Sequence, residues 1–311
     1  MINNIRKDDF EIKILVIGAN GFLGSNFFSK TNNEYFLNKR INVIASGLHA
    51  SILNNDIKFY KIDITNKRET INKISYLEPD VIILTAALTN VDQCELNKKL
   101  ASKINIDGPK NVLEACQRID AKLIFISTDF VFDGKKEGGY YTEDDHPNPI
   151  NHYGLTKYKA ELAIMNSNIE YLICRTSVLY GWTSRKQNFV TWILNNLKQN
   201  KPMKIVTDQI NSPTYVENLA QIIIKLIEKN ARGIYHTSGD CALSRYEIAI
   251  KCAKIFGYDS FLIKPIKNLK QKAIRPKNTS LNVEKLKKLI GNELKIFTFE
   301  EGLLSMKKNL I

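Results

Sequence analysis

The feature that most constrains this chain is a series of short apolar runs with almost no polar interruption. Ile12–Ile17 (IKILVI), Ile41–Ala45 (INVIA), Ile57–Ile62 (IKFYKI), Val81–Leu84 (VIIL), Leu123–Ile126 (LIFI) and Tyr171–Cys174 (YLIC) are rich in β-branched and aromatic residues. A strand with one wet face alternates apolar and polar residues, whereas near-continuous runs belong to strands covered on both faces. Helix-like stretches such as Leu100–Arg118 and Gly154–Asn166 lie between them. The alternation predicts an α/β protein with a doubly wound parallel sheet, a Rossmann fold.

The pattern changes after Gly181. Helices are expected near Asn188–Gln199 and Val216–Lys229, with the loop Thr207–Thr214 between them and Ile234–His236 able to return to the sheet. Further helices and a basic, proline-containing segment follow from Ser244. The expected division is a dinucleotide-binding domain over 1–180, with a returning segment at about 215–237, and a smaller α/β substrate-binding domain drawn mainly from 181–311.

Charge and cysteine content narrow the partners. Lys+Arg number 45 against 32 Asp+Glu, a net charge of +13, which suits an anionic partner. The lysine-heavy stretches Ile263–Lys277 and Glu284–Lys288 read as solvated faces, and no run of basic residues interleaved with aromatics appears, so nucleic acid is not expected. Cys94, Cys116, Cys174, Cys241 and Cys252 are scattered without a C-x-x-C, which is no disulfide framework. The N-terminal MINNIRKDDF is charged in both senses, unlike a secretory signal. Apolar runs such as Leu219–Ile227 fall far short of the ~20 residues that span a bilayer. A reduced, cytoplasmic protein without a membrane partner is expected.

The first run leads directly into Gly18-Ala19-Asn20-Gly21-Phe22-Leu23-Gly24 and then an expected helix. Gly18 permits the sharp turn, Gly21 lets the backbone approach a pyrophosphate, and Gly24 allows close packing, while the helix N-terminus offers N–H groups to the anion. Asn20, Phe22 and Leu23 lie within the same turn. After the second run the chain reads Ala45-Ser46-Gly47-Leu48-His49, with no carboxylate to hold a ribose 2′-hydroxyl or repel a 2′-phosphate. Ser46 could donate to that phosphate, with His49 or Arg40 approaching it. NADPH is therefore favoured, and NADH stays admissible. Asp63, followed by Ile64, is placed either to meet the adenine edge or to serve as a turn carboxylate. Ala86, Ala87 and Thr89, after the fourth run, are small enough for backbone to lie against a cofactor.

Tyr153 and Lys157 stand at i and i+4 on one helix face. Ser127-Thr128 ends the fifth run, at the sheet edge where doubly wound folds bind ligands. Hydride delivery to a ketone creates a developing alkoxide that needs a proton donor. Tyr153 can be that donor, with Lys157 drawing its pKa towards working pH and holding the nicotinamide ribose. Thr128 can hydrogen-bond the carbonyl oxygen.

With these residues in place the chain resembles an extended short-chain dehydrogenase/reductase, and more narrowly the dTDP-4-dehydrorhamnose reductase family. The resemblance runs through AALTNVDQCE (Ala86–Glu95), STDFVFDG (Ser127–Gly134), YGLTK (Tyr153–Lys157), RTSVLYG (Arg175–Gly181), DQINSPTYVENLA (Asp208–Ala220), GIYHTSG (Gly233–Gly239) and RPKNTSLN (Arg275–Asn282). It implies Thr128, Tyr153 and Lys157 as the catalytic trio, and Asp129, Asn188, Gln209 and Arg275 as candidates near a nucleotide-sugar. Asn188 and Gln209 can equally be structural amides. The implied reaction is NADPH-dependent reduction of the C4 ketone of dTDP-6-deoxy-L-lyxo-4-hexulose to dTDP-L-rhamnose, by a homodimer. Val178 stands where many members carry a bulky aromatic. Thr128 is followed by Asp129-Phe130 rather than the Asp-Glu of sugar-nucleotide dehydratases. Two alternatives remain: reduction of another nucleotide-linked 4-keto-6-deoxysugar, or a non-catalytic NADP-binding role, since the chain is also similar to the regulatory β subunit of methionine adenosyltransferase. No cluster has convincing metal spacing, and no metal is expected.

Overall fold

The computed structural model describes residues 12–29, 41–49, 57–183 and 187–310. Arg40 lies outside the described residues. The apolar runs form strands β1 (Ile12–Ile17), β2 (Ile41–Gly47), β3 (Phe59–Lys61), β4 (Val81–Leu84), β5 (Lys122–Thr128) and β6 (Tyr171–Thr176). A later strand, β7 (Gly233–His236), completes a seven-stranded sheet in the order β7-β6-β5-β4-β1-β2-β3. Every ladder in it is parallel. The order reverses between β1 and β4, and such a switch opens a crevice at the carboxyl ends of the strands.

Alternate strand residues serve opposite faces. Leu15 and Ile17 join a core with helices α1 (Lys67–Leu77), α4 (Gly108–Ile119) and α5 (His152–Met165). Two shorter helices, α2 (Val91–Leu96) and α3 (Lys98–Ser102), lead into α4. On the opposite face, Ile14 and Val16 belong to a core that includes α7 (Val216–Glu228), and α9 (Glu284–Ile290) joins that core beside β7, so residues late in the chain complete this face. A third core joins α6 (Phe189–Lys198), α8 (Arg245–Phe256) and α10 (Phe299–Lys308) beside a parallel pair formed by Met203–Val206 and Ile263–Ile266.

Two helices differ from expectation. After the glycine turn, only a short 3-10 segment, Gly24–Phe28, forms within the described residues. The helix expected over Leu100–Arg118 is broken by a π-helical stretch at Lys103–Asp107. Buried Asn105 sits in that wide turn. It accepts the Leu88 N–H at 2.8 Å and donates to the Leu88 carbonyl at 3.0 Å and Thr156 Oγ1 at 3.2 Å. Single π turns of this kind often lie near functional sites. The amide thereby ties the segment after β4 to α5, the helix carrying Tyr153 and Lys157.

Candidate active site

Two adjoining cavities occupy the switch-point crevice. The first, about 570 Å³, is lined by Gly18, Asn20, Gly21, Gly47, His49, Asp63, Ile64, Ala86 and Ala87 among others. The second, about 500 Å³, shares Gly18, Gly21, Ala86 and Ala87 and continues to Phe22, Leu23, Gly24, Thr89, Thr128, Asp129, Tyr153, Lys157, Val178 and Arg245. The turn thus lies between an outer chamber and an inner one holding the candidate chemistry.

Backbone sterics shape the glycine turn. Gly18 has φ +92°, and a Cβ there would lie 2.6 Å from Thr85 Oγ1 and 2.7 Å from the Ala86 nitrogen. At Gly24 a Cβ would fall 2.1 Å from the Gly18 carbonyl oxygen. The Gly18 and Ala19 N–H groups both donate to the Ser46 carbonyl, at 2.8 and 2.9 Å, stapling β1 to β2. The cradle has the close-backbone form that a dinucleotide pyrophosphate requires.

Ser46 departs from its expected role. Its side chain is fully buried without a hydrogen-bond partner and lines neither cavity. β2 runs two residues past Ala45, which leaves Gly47, Leu48 and His49 at the cavity instead. Asn20 donates through Nδ2 to the His49 carbonyl. Asp63 takes the turn role, its carboxylate accepting the Thr65 N–H at 2.9 Å and the Thr65 hydroxyl at 2.8 Å, and it also lines the outer cavity.

In the inner chamber the reacting groups meet because α5 begins very close to the end of β5. Asn151 caps the helix by accepting the Gly154 N–H at 2.9 Å. A Cβ at Gly154 would lie 2.0 Å from the Phe130 carbonyl oxygen, so only glycine permits this approach. Tyr153 consequently hydrogen-bonds with Thr128, and its ring meets Phe130 edge-on at 6.2 Å.

The electrostatics differ from expectation. Burial is the main influence on Tyr153 and raises its pKa, opposed by the Thr128 hydrogen bond, so the phenol keeps its proton. Lys157 is itself buried, its Nζ 3.9 Å from the Phe125 ring centroid. Burial pushes it down to about 7. The expected lowering of the tyrosine by a lysine cation is therefore replaced by a neutral phenol beside a lysine that titrates near neutrality.

Asp129 is buried beneath Thr128. Its carboxylate accepts from Thr128 Oγ1 at 3.1 Å, Ser177 Oγ at 2.8 Å, Asn211 Nδ2 at 3.0 Å and Thr279 Oγ1 at 2.5 Å. Burial raises its pKa, and these four donors oppose the rise. Ser177, Asn211 and Thr279 lay inside motifs read from the sequence but had not been singled out.

The other candidates take supporting positions. Asn188 caps α6, accepting the Thr191 N–H at 3.0 Å and donating to the Gly181 carbonyl at 2.7 Å. Gln209 donates to Gln271 at 2.9 Å and accepts the Arg245 N–H on its carbonyl at 3.0 Å. Arg275 donates to Asp92 at 3.0 Å and to the Ala273 carbonyl at 2.8 Å. None of these three lines the inner chamber. Arg245 does, and the sequence reading missed it: its local signal, Ser244 followed by Glu247, marks a helix start and says nothing of a cleft. Val178, also at the chamber wall, has φ +39°, a rare conformation for a β-branched residue. Among the described residues no group of His, Cys, Asp and Glu could hold a metal ion, and no helix is long and apolar enough to cross a membrane.

A glycine cradle at a Rossmann switch point, joined to a chamber with convergent threonine, tyrosine and lysine, defines an NAD(P)-dependent oxidoreductase of the short-chain type. Within that class, a family model described as the RmlD substrate binding domain matches residues 12–310, and the chain belongs to this family. It is 34% identical over 244 residues to a dTDP-4-dehydrorhamnose reductase of Aggregatibacter actinomycetemcomitans, covering 76% of this chain and 77% of that one. It is 30% identical over 285 residues to the methionine adenosyltransferase 2 subunit beta of Bos taurus, covering 89% and 82%. The crystal structure of a Bacillus anthracis dTDP-4-dehydrorhamnose reductase in complex with NADP superposes with a TM-score of 0.82 at 32% identity, covering 96% of this chain and all of that one.

Proposed function

We propose that the chain reduces the C4 ketone of dTDP-6-deoxy-L-lyxo-4-hexulose with NADPH, giving dTDP-L-rhamnose. The observation that carries this reading is the convergence of Thr128, Tyr153 and Lys157 in a chamber continuous with the glycine cradle. Gly18, Asn20, Gly21, Phe22, Leu23 and Gly24 would hold the pyrophosphate, and Asp63, Ile64, Ala86, Ala87 and Thr89 would border the adenosine and nicotinamide portions. Without a carboxylate at Gly47–His49, the end of β2 leaves room for a 2′-phosphate.

A bound NADPH supplies the hydride. Thr128 hydrogen-bonds the C4 oxygen, and Tyr153, kept protonated by its enclosure, gives that oxygen a proton as charge develops there. Lys157 holds the nicotinamide ribose hydroxyls and meets the phenolate that Tyr153 becomes. Without substrate the single hydroxyl proton of Thr128 goes to Asp129, and it turns to the C4 oxygen when the ketone is bound. Within this reading residues 1–180 with the 215–237 return form the cofactor lobe, the remainder of 181–311 forms the substrate lobe, and the enzyme is cytoplasmic and homodimeric.

The test is NADPH consumption with enzymatically generated dTDP-6-deoxy-L-lyxo-4-hexulose. Tyr153→Phe should retain NADPH binding and lose about 10²–10⁴-fold in turnover. Wild-type-like turnover in that variant would refute the role of the tyrosine. Turnover confined to a different 4-keto-6-deoxysugar would reassign the substrate. The similarity to the methionine adenosyltransferase subunit supports a second reading: tight NADPH binding with no sugar turnover, and a changed activity of a methionine adenosyltransferase, would establish it.

A further inference from the structure

We propose that Arg245 is the anion anchor of the inner chamber and that its guanidinium takes the diphosphate of the nucleotide-linked substrate. The inference rests on the nucleotide-sugar reading above and gives that substrate's charge a specific partner. Arg245 begins α8 and lines the same chamber as Thr128 and Tyr153. Lys157 and Arg245 are the cationic side chains on that lining. Lys157 is pressed against Phe125 at the reacting end and titrates near neutrality. Arg245, although lowered by burial to about 10, keeps its charge at neutral pH.

What sets Arg245 apart is its lack of a partner. Buried Arg175 is held by Glu161 through two bonds of 3.1 and 2.8 Å, and Arg275 is engaged by Asp92 and Ala273. Among the described residues the Arg245 guanidinium has no hydrogen bond or ion pair; its contact is the Phe189 ring, with Cζ 4.7 Å from the centroid. Asp129, which attracts it electrostatically, already accepts four donors. Arg245 is half-buried, and its unpartnered N–H groups stay accessible at the cavity wall, where the oxygens of an anionic ligand can meet them.

The seat is also braced by neighbouring contacts. Phe189, at the start of α6, stacks on Trp192 at 6.1 Å with the rings 16° apart. Asn188 fixes that helix start, and Gln209 fixes the backbone of Arg245. The Asn188 amide, expected near the substrate, thus acts by building the platform for the arginine, whereas Gln209 contributes its main-chain carbonyl and turns its amide to Gln271. A planar fork held in this way matches two adjacent phosphoryl oxygens.

The experiment compares dTDP and thymidine binding by calorimetry, using NADP-loaded wild type, Arg245→Met, Arg245→Lys and Arg275→Met. Arg245→Met should weaken dTDP by about 10- to 100-fold and leave thymidine and NADP unchanged. Arg245→Lys should recover part of the loss, and Arg275→Met should lose less than Arg245→Met. Unchanged dTDP affinity in Arg245→Met, an equal loss for thymidine, or a larger loss in Arg275→Met would each overturn the anchor. If the wild type itself binds no dTDP, the nucleotide-sugar reading fails first; if the wild type binds and Arg245→Met binds equally, only the anchor fails.

Discussion

The two walls of the crevice are assembled over very different spans of chain. On the glycine wall, Gly18, Gly21 and Gly24 lie within one turn, and backbone atoms of that turn and of Ala86 limit what can stand there. The opposite wall brings Asp129 from the end of β5 against Ser177, Asn211 and Thr279, the last of them 150 positions away, with Arg245 from another segment. Its geometry depends on side chains meeting after the sheet has formed. A wall set by local backbone sterics should fail sharply on adding one carbon, whereas a wall of side chains should respond through charge and pH.

The largest contrast should come from Gly18→Ala. The positive φ and the overlap with Thr85 and Ala86 should together cost about 3 kcal/mol, read as a lower urea midpoint. An unchanged midpoint would break the distinction between the walls.

A smaller, pH-dependent effect belongs to Lys157. Its pKa lies near 7 when folded against 10.5 for the free side chain. Below pH 7 both states are protonated and the cost of burying the charge is fully present. Between about pH 7 and 10.5 the unfolded chain binds the extra proton, so stability rises with pH, by about 1 kcal/mol per unit just above 7. Melting temperatures of ligand-free wild type and Lys157→Met across pH 6.5–8.5 should diverge in slope, the methionine variant being the flatter. Parallel slopes would place the titration elsewhere.

The smallest effect is expected at Val178, where glycine relieves the φ of +39° but removes a side chain. Val178→Gly should stay within about 1 kcal/mol of wild type. A loss beyond about 2 kcal/mol would mean that the valine side chain holds this wall together.

This contrast also explains what could be read from the chain. Unbroken apolar runs announced the sheet, and Thr128, Tyr153 and Lys157 were legible because a strand end and one helical turn bring them together. Tyr153's electrostatics were not legible, since proximity of lysine in sequence says nothing of the Phe125 ring beneath its nitrogen. The break in the helix expected over Leu100–Arg118 was not legible, because the partners of the Asn105 amide at Leu88 and Thr156 are long-range. Arg245 was hidden for a related reason: its neighbours there, the Gln209 carbonyl and the Phe189 ring, come from distant segments that only tertiary packing brings to it.

The late arrival of β7 has a consequence for synthesis. A chain emerging from the ribosome can pair β1 to β6 early, but the outer edge of β6 is closed only by residues 233–236. The core that Ile14 and Val16 share with α7 likewise waits for that helix to be made. A nascent chain stopped before this point therefore presents both an open strand edge and an uncovered apolar face, the two features from which aggregation starts. Stalls that leave the chain exposed only as far as residues 177–232 should favour aggregation.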